Sequence, residues 1–298
     1  MSTISLASVL GMLLAGAKKN TKTQLLNTFG MSTEKLVAEK FQGALKNINE
    51  FKRNPNVTLR SANRIYVDKQ DKLLPDYMSL LEMFYSAEPQ NIDFKSDAQK
   101  ASNEINKWVE QQTNEKIKDL LKPTEVQDAK IVLVNAIYFK GDWQSKFMEN
   151  QTKEMDFTTS KDEKRKVKMM FQTGHFGIVE NSKVLGQASV LQLPYKGNSA
   201  DMLVILPKIG TTLDAVEKNV GKFLRNLHGK NQTSNMNRSK VKVYIPKFKL
   251  ESTLDLVNPL QKVGVSDMFS QNADFSGMAG KSNVYVSVIK QKAFIEGN

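Results

Sequence analysis

Residues 131–139 read IVLVNAIYF, an apolar run broken only by Asn135. A strand with one wet face alternates apolar and polar side chains, so an unbroken run belongs to a strand buried on both faces. A chain carrying such a strand must fold with a sheet covered above and below. Asn135 is the oddity in that run. A buried amide costs stability unless its donors and acceptor are hydrogen-bonded, so the fold has to supply partners for it.

Periodicity predicts the surrounding elements. Residues 21–27 and 32–51 read as helices, the second with Leu36, Val37, Phe41, Leu45 and Ile48 on one stripe. Residues 57–66 (VTLRSANRIY) read as a strand followed by a turn at Asp71, and 75–85 as a short helix. A long helix is expected over 96–121, with Ile105, Trp108, Val109, Ile117, Leu120 and Leu121 facing inward and Pro123 as its stop. Residues 190–195 and 202–206 read as a strand pair joined by the turn Lys196-Gly197-Asn198-Ser199. Strand patterns follow at 241–245 and 248–250, a helix at 254–263 and a last strand at 284–295. Helices come early and strands late, which indicates an α+β fold. With no internal repeat and no linker, residues 1–298 are expected to form one domain.

Several chemistries are closed off by composition. With no Cys there is no disulfide framework, thiolate zinc site or cysteine nucleophile. The two histidines, His175 and His228, are too far apart in sequence for an HExxH helix. No G-x-S-x-G elbow is present, and hydrolytic triads need a His beside the nucleophile. An enzyme is therefore not expected, and neither is a metal or other cofactor. Gly280-Lys281-Ser282 fails as a phosphate loop: Phe275 stands where the motif requires Gly, and a strand pattern follows where a helix should begin.

Charge leaves a polyanion partner open. Lys and Arg number 43 against 31 Asp and Glu, a net charge of +12. The densest basic run is Lys161, Lys164, Arg165, Lys166 and Lys168, interrupted by Asp162 and Glu163 and without the interleaved aromatics of a single-strand binding platform. Weak, salt-sensitive attraction to anionic surfaces such as glycosaminoglycans follows, without specific nucleic-acid binding.

Residues 4–17 (ISLASVLGMLLAGA) mimic a signal peptide with a small-residue cleavage site. The run is too short to span a bilayer, which takes about 20 apolar residues, and nothing basic precedes Lys18. Leu6, Val9, Leu10, Leu13 and Leu14 recur at helical spacing, with small residues between them. A buried helix is the better reading, and no membrane association is expected.

The stretch NAIYFKGDWQSKF at 135–147 resembles a recognisable segment of the serpin family. Further blocks are similar to the family in the same order: 5–24, INKWVEQQTNEKIKDLL at 105–121, the hairpin over 193–207, the helix-plus-loop block over 246–278, and KAFIE at 292–296. The resemblance implies a fold of three β-sheets with surrounding helices. It also implies that the chain starts after the family's first helix and stops before its reactive loop and C-terminal strands. No reactive bond is then present, and the chain alone is expected to be inactive.

The implied function is inhibition of a serine endopeptidase as a suicide substrate, through insertion of a cleaved loop into the main sheet. The partner would be a trypsin- or chymotrypsin-like protease and the inhibitor a monomer. A non-inhibitory serpin acting as a carrier, chaperone or polyanion-binding protein is the alternative. By resemblance, Ser2, Ser5, Asn135 and Gln291 match the cluster that governs sheet opening, and Trp143 the region where the loop first inserts. Thr3 stands where the family usually has Pro, and Gln291 where a His is common; Gln cannot be protonated. The resemblance further implies an extracellular, secreted protein. The sequons at Asn56, Asn150, Asn231 and Asn237 would make it a glycoprotein.

Overall fold

The computed structural model describes residues 1–51, 53–159, 163–229, 236–280 and 284–297. The expectations that fall on Lys161, Asp162, Asn231, Lys281 and Ser282 lie outside the described residues. In chain order the helices are α1 (Thr3–Gly16), α2 (Lys19–Phe29), α3 (Glu34–Phe51), α4 (Pro75–Tyr85), α5 (Ala98–Gln112), α6 (Pro123–Val126), α7 (Leu213–Gly229), α8 (Val257–Lys262) and α9 (Ser276–Ala279). The strands are β1 (Val57–Asp68), β2 (Gln90–Ile92), β3 (Ile131–Gly141), β4 (Lys153–Thr158), β5 (Lys164–Ser182), β6 (Ala188–Pro194), β7 (Asp201–Pro207), β8 (Asn237–Pro246), β9 (Phe248–Asp255) and β10 (Val286–Gly297). Among the described residues no helix is long and apolar enough to cross a membrane.

The chain divides into two compact units. The first comprises Met1–Arg53, Thr58–Phe139 and Leu250–Ile295. Its sheet has the order β2-β1-β3-β10-β9. Strand periodicity sorts β3 between two cores. Ile131 and Leu133 join the cluster built on α1 and α4, while Val132, Val134, Ala136 and Tyr138 join the cluster built on α5. Burying each such aliphatic side chain contributes about 1.5–3 kcal/mol, which is why the run tolerates no polar alternation. Asn135 shares its parity with Ile131 and Leu133, so it belongs to the α1 face. The same parity in β1 and β10 puts Ser61, Asn63 and Gln291 on that face with Ile65 and Ile289.

The expected buried helix is α1: Val9, Leu10, Met12, Leu13 and Leu14 are all buried, and Tyr77 of α4 donates from its hydroxyl to the Met12 carbonyl at 3.0 Å.

The second unit comprises Asn54–Val57, Lys140–Lys249 and Glu296–Asn298. Its organising element is the 19-residue β5. The first residues of β5 pair antiparallel with β4, its middle with β8, and its last residues with β6, which continues to β7. One strand thus serves two sheet regions with its two halves. α7 buries Val216, Phe223 and Leu227 in a cluster with Leu185, Ala188, Val190 and Met236. The hairpin expected around Gly197 is β6–β7, and Gly197 takes φ +88° in its turn, where a side chain would be strained.

Three local expectations are corrected. The long helix over 96–121 ends at Gln112. Asn114 and Glu115 adopt left-handed φ of +52° and +58°, and the chain then runs without helix to Pro123, which begins α6 rather than ending a helix. Ile117, Leu120 and Leu121 remain buried, so the apolar spacing persists without helical backbone. Side-chain bonds replace the helical ones: Asn106 bonds both the N–H and the carbonyl of Leu121, at 2.9 and 2.8 Å. The helix expected over 254–263 shrinks to α8, because β9 continues to Asp255, whose carboxylate accepts from the Val257 N–H at 3.0 Å. Leu36, expected on the inner stripe of α3, is 43% exposed. Lys164, Arg165, Lys166 and Lys168 of the basic run lie exposed on β5, which pairs with β4; neither of these strands nor the helix α7 was foreseen.

Candidate functional site

Five side chains and one stretch of backbone meet on the α1 face of the first sheet. Asn135 is wholly buried, and each polar atom of its amide has a partner. Its Nδ2 donates to Ser5 Oγ and to Asn63 Oδ1, both at 2.6 Å. Its Oδ1 accepts from Gln291 Nε2 at 2.6 Å. Gln291, also wholly buried, donates again to the Ser2 carbonyl at 3.0 Å and accepts from the Ser2 N–H at 3.0 Å. Ser5 donates to Asn63 Oδ1 at 2.8 Å, and Asn63 Nδ2 donates to Ser61 Oγ at 3.0 Å.

The network therefore links β1, β3 and β10 to the start of α1. A fully satisfied buried network of this kind is cohesive and specifies one arrangement, whereas removing any member strands its partners. It contains no ionisable side chain, so protonation does not act on it directly.

Ser2, Ser5, Asn135 and Gln291 are brought together, though Ser2 takes part through its main chain. Its hydroxyl instead caps α1, accepting from the Ser5 N–H at 3.3 Å. Ser61 and Asn63 were missed. They stand at alternate positions of a predicted strand, and that spacing was the available signal.

Trp143 belongs to the second unit. It forms an isolated antiparallel bridge with Tyr195 and stacks on that ring at 4.6 Å between centroids, with Phe147 edge-on at 6.2 Å. Gly141 makes room for this packing, since a Cβ there would lie 2.5 Å from the Tyr195 ring. Trp143 is buried, and its indole N–H has no hydrogen-bond partner among the described residues. Of the sequons, Asn56 donates its Nδ2 to Asn54 Oδ1 at 3.1 Å, Asn150 lies in an exposed 3-10 turn, and Asn237 is exposed at the start of β8.

Comparison with known proteins places this geometry. The family model described as Serpin (serine protease inhibitor) matches residues 1–298. The chain is 37% identical over 306 residues to the human leukocyte elastase inhibitor, covering all of this chain and 79% of that protein. It is 35% identical over 299 residues to human serpin B9, covering all of this chain and 78% of that protein. Among solved structures, uncleaved ovalbumin superposes with a TM-score of 0.85 at 31% identity, covering 99% of this chain and 78% of that one. Serpin-12 of Manduca sexta superposes with a TM-score of 0.90 at 26% identity, covering 98% and 80%.

These relatives overturn one expectation. The leukocyte elastase inhibitors and serpins B9, B8 and B3 are intracellular clade B serpins that lack signal peptides, so the extracellular, secreted and glycoprotein reading is withdrawn. The apolar segment that invited it is α1, buried against the sheet. Sequons by themselves report only Asn-x-Ser/Thr spacing, which carries no information about compartment. Sequence, sheet order and fold agree on one assignment: the chain belongs to the serpin family of serine protease inhibitors.

Proposed function

We propose that this protein inhibits its protease by admitting an additional strand into the first sheet between β3 and β10, with Ser2, Ser5, Asn135 and Gln291 as the latch on that seam and Asn63 and Ser61 as its extension. The observation that carries this reading is the bond from Gln291 to Asn135, which joins the two strands by their side chains. Main-chain pairing alone would re-form on either side of a new strand. The side-chain bond would not, so it adds a threshold to sheet opening. Trp143 is read as the packed residue beside the entry point. Residues 1–298 are taken as one serpin domain, supported by the family match over that whole span.

The names of the relatives favour an elastase-type serine protease as target. We take the chain as an inhibitor rather than an enzyme, in line with its lack of Cys and its two His, and as a monomer. Incubation of the longest native form with leukocyte elastase and with trypsin tests the proposal. A detergent-resistant covalent complex with elastase is expected, and cleavage without any such complex would reject it.

Weak glycosaminoglycan binding is a secondary expectation from the net charge of +12. Part of the basic run is already neutralised, since Lys166 pairs with Asp156 at 2.8 Å and Arg165 with Glu163 at 3.3 Å. Retention on heparin should therefore be lost at modest salt.

A further inference from the structure

The basic run of the second unit divides by strand parity. On one face of the β4–β5 pair, Lys166 stands opposite Asp156 and Lys168 opposite Glu154, so each of these cations has a carboxylate at hand. Arg165 projects to the other face, where Phe157 stands opposite it and Met155 stands opposite Val167. β8 runs along the other edge of β5 and extends that second face. It sets Tyr244 opposite Phe171, Lys242 opposite Thr173 and Lys240 opposite His175.

The second face is open to solvent. Tyr244, Phe157 and Met155 are 52%, 43% and 39% exposed, whereas Met170, Phe176, Val243 and Ile245 on the reverse are buried. Phe171 and Tyr244 form a ring pair with centroids 4.7 Å apart. Over residues 153–158, 164–178 and 237–246, no Asp or Glu shares this face with them. Arg165 pairs with Glu163 at 3.3 Å, so Lys240 and Lys242, which face Thr173 and His175 rather than carboxylates, are its freer cations. The aromatics that the basic run lacks along its own sequence thus come from the neighbouring strands.

We propose that this face binds single-stranded nucleic acid without sequence preference, stacking bases on Tyr244, Phe171 and Phe157 and holding phosphates with Lys240, Lys242 and Arg165. Phe157 and Phe171 stand at β5 positions six residues apart, about 20 Å along the strand. At about 3.4 Å per nucleotide, a strand of about six nucleotides covers that distance. A glycosaminoglycan would satisfy the lysines but has no base to lay on the rings. A duplex keeps its base faces stacked within itself. The binding does not depend on the proposed inhibitory mechanism.

The test titrates the full chain against a fluorescein-labelled thymidine octamer, read by anisotropy. An abasic octamer with the same phosphates and a heparin octasaccharide serve as comparisons. The thymidine octamer is expected to bind with a dissociation constant of about 1–100 μM near physiological salt. The abasic octamer should bind at least about fivefold more weakly, and Tyr244→Ser should weaken the thymidine octamer by a similar factor while leaving heparin unchanged. Replacing Lys240 and Lys242 together by Ala should flatten the slope of log affinity against log salt by about 1.4, the share of two phosphate contacts. Equal affinity for the thymidine and abasic octamers would reduce the face to a plain polyanion surface and overturn the proposal. So would the absence of saturable binding, or thymidine binding unchanged in Tyr244→Ser. Photo-crosslinking of a 5-iodouracil octamer to the native chain needs no variant to fold. Adducts on Phe157, Phe171 or Tyr244 support the site, and adducts confined elsewhere remove it.

Discussion

Gln291 Nε2 donates to Asn135 Oδ1 at 2.6 Å, a side-chain bond between adjacent strands of one sheet. Truncating Asn135 to Ala removes this bond and those to Ser5 and Asn63, and leaves a buried Gln291 donor without its acceptor. The expected loss is about 3 kcal/mol. Urea unfolding should show a lower midpoint with an unchanged slope. A loss below about 1 kcal/mol would mean that the remaining members re-pair without Asn135.

Gln291→His should install a pH dependence that the native cluster lacks. A neutral imidazole can accept from the Ser2 N–H and donate to Asn135, as the amide does, but an imidazolium offers only donors. At this fully buried position the neutral form is favoured, so the folded-state pKa falls below the unfolded value of about 6.5. The unfolded state then binds more protons as pH drops, and stability declines below about pH 6.5. Comparison of unfolding midpoints at pH 8 and pH 5 should show a larger acid loss in the variant than in the native chain.

Gly141→Ala should disturb the aromatic stack of the second unit. The added Cβ would lie 2.5 Å from the Tyr195 ring, which packs 4.6 Å from Trp143. Overpacking of this kind costs about 1–3 kcal/mol. Placed in a Trp108→Phe background, the substitution leaves Trp143 as the sole emitter of the two tryptophans, and its emission should shift to the red. Unchanged emission would show that the ring pair moves as a body.

Asp274 should contribute to acid sensitivity. Hydrogen bonding from Ser276, helped by Lys19 at 3.1 Å, holds its carboxyl below the usual range against the opposing effect of burial. A carboxyl with a depressed folded-state pKa stabilises the protein above its unfolded value of about 3.9, and that stability is lost as pH falls further. Asp274→Asn should therefore flatten the decline in urea midpoint between pH 5 and pH 3. Parallel curves for variant and native chain would assign the acid loss to other groups.

How far the fold could be read from residues depended on contrast. Asn135 was legible because it interrupts an apolar run, and α1 because its leucines recur at helical spacing. Ser61 and Asn63 escaped because β1 also carries Thr58, Arg60 and Arg64, and nothing in such a mixed strand marks which face is covered. The helix over 96–121 was drawn too long because Ile117, Leu120 and Leu121 keep an inward spacing after the backbone turns left-handed. β5 was hidden because its first half is basic and exposed, so alternation never develops there.

The length of β5 has one more consequence. Strand register is a choice of parity, and a slip of one residue turns every side chain to the opposite face. Because the same 19 residues pair with β4, β8 and β6, a shift of β5 itself would break all three pairings together. The placement of a single strand thereby answers to three partners at once, and an error in it that a short strand with one partner could have tolerated becomes one that the whole unit rejects.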